Sequence, residues 1–150
     1  MAVSAFNAFQ RLGEDHAIGV HNFAAAGHTI RASLTNSSVT STMSVLSTLT
    51  VLSSGNGYTT GVDVQNDEVR SGATATVFGV SFIITAAGGS IGPFQYVVLD
   101  NSNTTSATRP LIGWWDYGSA LTLLDTETLE VKFNSAAVGT TGTIFTVTTA

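Results

Sequence analysis

The sequence predicts an all-β fold, an antiparallel β-sandwich or barrel of jelly-roll type with a short N-terminal helix. Three observations carry that expectation. Hydroxyl residues are abundant, with 16 Ser and 23 Thr in 150 residues, and Thr favours strands while Ser favours turns. Apolar residues come in short runs of strand length, separated by Gly- and Asn-rich turns. No run between them has the length and period of a crossover helix, so the helices of a parallel sheet are missing. The expected organisation is an N-terminal helix and arm over 1–28, then one β-sandwich domain over 29–150.

The helix is expected over Val3–Glu14, where Ala5, Phe6, Phe9 and Leu12 recur at three- and four-residue spacing. Ser4 stands where a cap would, and Gly13 ends the pattern. Such a segment either plugs one end of the core or serves as an arm that docks on a neighbour. His28–Leu34 reads as a strand because Ile30, Ala32 and Leu34 alternate with Thr29, Arg31 and Ser33. Ser41–Leu52 mixes helical spacing with Ser and Thr, which predicts a loop containing one short helical turn. Ser54-Gly55-Asn56-Gly57-Tyr58 is a turn, since Asn and Gly tolerate positive φ.

Beyond that turn the strand pattern strengthens. Val62 and Val64 share a face of a short strand, and Asp67-Glu68 reads as a charged loop tip. Ala75–Thr85 is an apolar run suited to a buried strand, and Phe94–Leu99 is another. A polar loop, Asp100–Thr108, leads to a strand over Leu111–Tyr117. Leu121–Leu123 and Leu129–Phe133 form a hairpin candidate across Leu124-Asp125-Thr126-Glu127. In its second arm Leu129, Val131 and Phe133 face inward, and Glu130 and Lys132 face out together. Gly139-Thr140-Thr141-Gly142 reads as a loop before a last strand, Ile144–Thr148.

Charge is scarce. Only 10% of residues are charged, against about 25% in ordinary domains. A surface so poor in charge suits a protein that neighbouring subunits cover. The net charge is −5, and Arg11, Arg31, Arg70, Arg109 and Lys132 are scattered. Direct nucleic-acid binding is not expected, because it needs clustered cations to release counterions. There are no cysteines, which excludes disulfides, Cys-ligated zinc and thiol catalysis. Neither a secretory signal nor a membrane span is expected: Arg11, Glu14 and Asp15 interrupt the N-terminal apolar pattern, and no run approaches ~20 apolar residues.

Candidate chemistry is sparse, and neither an enzyme nor a cofactor is expected. Gly88-Gly89-Ser90-Ile91-Gly92 matches G-x-S-x-G, but a nucleophile elbow needs a helix after the Ser. Here Pro93 and the apolar run Phe94–Val98 follow. His16, His21 and His28 are spaced by five and seven residues, which does not gather them on one helix face as metal ligands. Asp125, Glu127 and Glu130 read as a solvated hairpin. The aromatic cluster Trp114-Trp115-Asp116-Tyr117 is more telling. On a strand, Trp115 and Tyr117 take one face and Trp114 the other. The rings then belong to a two-sided core, to an interface where Trp and Tyr anchor binding, or to a sugar-stacking platform.

Several segments together resemble small structural proteins of tailed bacteriophages. They are Ala32-Ser33-Leu34-Thr35-Asn36, the turn Gly55–Gly61, the stretch Gly88–Leu99, and Pro110–Gly118 with its paired tryptophans. Leu121-Thr122-Leu123, Glu127-Thr128-Leu129 and Val131-Lys132-Phe133 continue the pattern. The family is that of phage head decoration, or cement, proteins. The matching region spans roughly residues 30–135, by its repeated short strands and turns. Glu14–His28 and the Thr-rich tail depart from it.

The resemblance implies a β-rich, trimeric virion protein on the capsid exterior, made in the host bacterial cytoplasm, whose partner is the major capsid protein. A clamp that binds only the expanded shell stabilises that state by mass action. Phe6 and Phe9 are the expected arm contacts, and Trp114, Trp115 and Tyr117 the packing anchors. The alternative is a tail, neck or fibre component that binds a host glycan through the aromatic cluster.

Overall fold

The computed structural model describes residues 5–103 and 108–148. Its elements run β1 (Asn7–Ala8), α1 (Leu12–Ala17), β2 (Ile30–Thr35), a 3-10 turn (Leu46–Thr48), β3 (Val62–Asp63) and β4 (Asp67–Ser71). Then follow β5 (Thr74–Val80), β6 (Phe82–Thr85), β7 (Ile91–Asn101), β8 (Leu111–Leu123), β9 (Thr128–Val131) and β10 (Thr141–Thr148). All the strand pairings are antiparallel. One layer is a five-stranded sheet in the order β1-β8-β7-β2-β3. The facing layer has two pieces, β10-β5-β4 and β6-β9. The fold is a sandwich-like, all-β one, and no sheet closes into a barrel among the described strands. None of the described helices is long and apolar enough to cross a membrane.

The layers meet through two apolar clusters. In the first, Ile30, Ala32, Leu99 and Ile112 of the five-stranded sheet pack on Val77, Val131, Phe133 and Ile144. In the second, Leu34, Ile91, Phe94 and Leu123 pack on Ile84 and Ala86. A third cluster covers the opposite face of the five-stranded sheet. There Phe9, Val98 and Leu111 meet Leu46 and Leu49 from the long loop between β2 and β3. That loop is fastened by Leu46 N–H to Arg109 O at 2.9 Å, and by Leu111 N–H to Ser44 O at 2.9 Å. The centre of the five-stranded sheet is therefore covered on both faces, which suits the unbroken apolar run Val97-Val98-Leu99.

Several elements differ from expectation. The helix forms over Leu12–Ala17, not Val3–Glu14. Asn7 and Ala8 instead pair with Trp114 and Gly113 at the edge of the main sheet. Val3 and Ser4 lie outside the described residues. Asp67 and Glu68 sit in β4, paired with Phe78 and Val77, and do not form a loop tip. The run Ala75–Thr85 is cut at Ser81, whose N–H donates to Thr140 O while its carbonyl and hydroxyl accept from Gly139 N–H and Phe133 N–H. Thr141 and Gly142, expected in a loop, begin β10.

The largest departure concerns the expected hairpin. β8 stays paired with β7 as far as Leu123, which lies opposite Ile91. The turn Leu124–Glu127 then carries the chain to the other layer. It is closed by Glu127 N–H to Leu124 O at 2.9 Å and Leu124 N–H to Glu127 Oε2 at 2.7 Å. β9 pairs there with β6, so Leu121–Leu123 and Leu129–Phe133 are not hairpin partners. The side-chain alternation over β9 and the two residues after it is nevertheless as expected, with Val131 and Phe133 buried and Glu130 and Lys132 exposed. The 3-10 turn at Leu46–Thr48 and the turn bridging Gly55 and Tyr58 also lie where the sequence placed them.

Candidate interaction site

The aromatic cluster of β8 is fixed by its pairing with β7. Trp114 lies opposite Val98 and Trp115 opposite Val97, so the two indoles leave the sheet on opposite sides. Trp114 meets Phe9, with ring centroids 4.5 Å apart, in the cluster beneath the long loop. Trp115 turns between the layers and meets Phe6 at 5.2 Å and Phe133 at 5.6 Å. Tyr117 follows on the same side, as alternation requires. Both Trp side chains are half-buried. They belong to the two-sided core and still leave ring surface open.

The N-terminal aromatics do not project as an arm. Phe9 is 2% exposed. Phe6 is half-buried, its ring stacked 5.4 Å from that of Phe145. Gly113 makes room for Phe6, since a Cβ there would stand 2.2 Å from its ring. Both rings pack within the chain, Phe9 wholly and Phe6 in part. Their spacing reflects a strand and a turn, with Phe6 and Phe9 falling on opposite faces of the same sheet.

Between β7, β8 and β9 lies a groove of about 260 Å³. Phe94, Val97, Trp115, Tyr117 and Leu129 make it apolar. Its rim is polar. Gln95 Nε2 donates to Asp116 Oδ1 at 2.9 Å, and Lys132 pairs with Glu130. An apolar floor ringed by satisfied polar groups is the usual anatomy of a binding surface. Trp115 and Tyr117 are the sequence-predicted residues that meet in it; Trp114, Phe6 and Phe9 lie elsewhere.

Sequence reasoning missed a polar cluster at the other end of β7. Asn101 Nδ2 lies 3.1 Å from Val20 O, 3.2 Å from His21 Nδ1 and 2.8 Å from His28 Nδ1. The amide thus gathers two histidines that are seven residues apart. His21 is buried, and its Nε2 faces Asp15 Oδ2 at 4.0 Å, beyond hydrogen-bond reach. Burial pushes the imidazole down to about 4; Asp15 opposes that shift, and His16 and His28 add to it.

Next in sequence, Asp100 is wholly buried and paired through Oδ2 with Arg109 at 2.6 Å. Burial pushes its carboxyl up to about 6, against the pull of Arg109 and Arg31. Oδ1 of Asp100 has no hydrogen-bond partner among the described residues. Among those residues no three His, Asp or Glu side chains stand close enough to hold a metal ion. Ser90 is exposed in the turn before β7, where Asn56 Nδ2 donates to its carbonyl at 2.8 Å.

Compared with protein-family models, with curated proteins and with solved structures, the chain matches none.

Proposed function

We propose that the protein is a structural component of a tailed-phage virion, a decoration or cement protein that binds the outer surface of the major capsid protein shell and holds the expanded head. The observation that carries this reading is the aromatic groove of Trp115 and Tyr117 on a chain with so few charges. Such a surface offers contact area and few ionic demands, as near-permanent interfaces do. The resemblance of the turn and tryptophan segments to phage head proteins points the same way.

In this role the chain makes and breaks no bond. Binding energy that exists only in the expanded shell shifts the shell toward that state, in proportion to affinity and occupancy. Tyr117 is the anchor best placed to meet a partner, because it lines the groove without a ring contact to Phe6 or Phe133. A tail or fibre component that binds a glycan is the second reading. It is favoured by the polar side chains of Gln95, Glu130 and Lys132 around the same rings, since sugars need hydrogen bonds beside a stacking face.

Imaging purified virions with a label on this chain separates the two. Many copies spread over the head are the expected result, together with lower occupancy and reduced heat resistance of particles carrying Tyr117→Ala. A few copies at one vertex favour the second reading, and absence from the particle overturns both.

A further inference from the structure

We propose that the outer edge of β9 pairs with the same edge of a second copy of this chain, antiparallel and about a two-fold axis at Val131. This goes beyond the virion reading and does not depend on it, and it sets a two-fold pair against the trimer that the resemblance implies. β9 is the end strand of its sheet: β6 occupies one side, and among the described residues no strand takes the other. That open side borders the aromatic groove, lined by Leu129, Glu130 and Val131 of β9 and by Lys132 just past its end. An unpaired strand edge is a ready template for another strand.

The register follows from two requirements. Directly opposed residues in an antiparallel pair share a face. Val131 points into the core, and Glu130 and Lys132 point out, so a symmetric pairing must centre on a residue and not between two. A centre at Glu130 sets glutamate against glutamate, and a centre at Lys132 sets lysine against lysine. Like charges directly opposed destabilise a sheet. A centre at Leu129 sets the buried Val131 against Glu127. A centre at Val131 sets Glu130 against Lys132 of the second copy, twice over, with Leu129 against Phe133 on the inner face. Only this register joins opposite charges, and the ion pair of Glu130 with Lys132 within each copy then becomes part of a four-charge row.

Edge charges can instead serve to keep strands apart, and reversing them decides the matter. Glu130 and Lys132 side chains are 47% and 43% exposed, so their exchange leaves the fold intact, which circular dichroism checks. Sedimentation equilibrium of the full chain should give twice the chain mass. Glu130→Lys and Lys132→Glu, each alone, should lose the dimer. Mixing the two should restore it as a heterodimer, because every opposed pair is again of opposite sign, and the double reversal should restore it within one chain. A wild-type monomer at every soluble concentration, a trimer, or single reversals that associate like the wild type would overturn the pairing. None of these outcomes bears on whether the chain is found in virus heads.

Discussion

The ring of Phe9 lies 4.5 Å from that of Trp114, tilted by 45°, and the pair stands on the face of the main sheet away from the sandwich interior. This contact ties the N-terminal segment to β8 and helps seat the long loop over the sheet. Removing a wholly buried phenylalanine side chain costs about 3–5 kcal/mol through lost transfer energy and the cavity left behind. Phe9→Ala is expected to lower stability by that amount in chemical denaturation. A free docking arm would tolerate the same change with little loss, so the measurement separates the core role from the arm role directly.

The misplacement of the helix has the same origin. Phe6, Phe9 and Leu12 fit a helical period, but the period alone does not say where the faces lie. Phe6 packs against Trp115 and Phe145 on one side of the sheet, and Phe9 is buried against Trp114 on the other. Two separated clusters claim the two rings, and a two-residue strand reaches both. Local propensity yields here to tertiary packing. By contrast, β2 was legible because Ile30, Ala32 and Leu34 alternate toward one core, and β9 because Leu129, Val131 and Phe133 do the same.

What the sequence hid is what depends on distant partners. β4 carries Asp67, Glu68 and Arg70 and is exposed along most of its length, so it lacks the alternation that marks a strand; its pairing with β5 makes it one. The choice of β6 over β8 as the partner of β9 is likewise invisible in a window around Leu124–Glu127. Of the candidate site, the shared face of Trp115 and Tyr117 followed from alternation. The walls from Phe94, Val97 and Leu129 did not, because they come from strands that meet only in the fold. The histidines look unrelated by spacing, and only Asn101, at the end of β7, brings His21 and His28 together.

That cluster predicts a pH dependence. His21 has a folded-state pKa of about 4, below its ordinary 6.5. Above pH 6.5 the imidazole is neutral in both the folded and unfolded chain, and its burial carries no ionisation cost. As pH falls toward 4 the unfolded chain takes up a proton that the folded chain refuses, so stability is lost. His21→Asn removes this dependence. The stability of the wild type relative to His21→Asn is expected to fall as pH drops from 6.5 to 4, by on the order of 3 kcal/mol. Parallel melting curves across that range would refute the assignment.

Asp100 predicts the opposite slope in nearly the same window. Its carboxyl has a folded-state pKa of about 6, above its ordinary 3.8. Below pH 3.8 it is protonated in both states and burial is unopposed. Between 3.8 and 6 the unfolded chain releases the proton while the folded chain keeps it, so stability is lost as pH rises and the loss is complete above 6. The wild type therefore sets two opposed terms against each other, one on Asp100 and one on the histidine bonded to its neighbour Asn101. Asp100→Asn removes only the first. The difference in stability between wild type and Asp100→Asn, measured by denaturation from pH 4 to pH 7, is expected to move against the wild type as pH rises from 4 to 6 and to level off above that. The Asp100→Asn chain should itself weaken on acidification more steeply than the wild type, because the His21 term is then unopposed. A difference curve that is flat from pH 4 to 6 would mean that Arg109, 2.6 Å away, already holds the carboxylate ionised at acid pH.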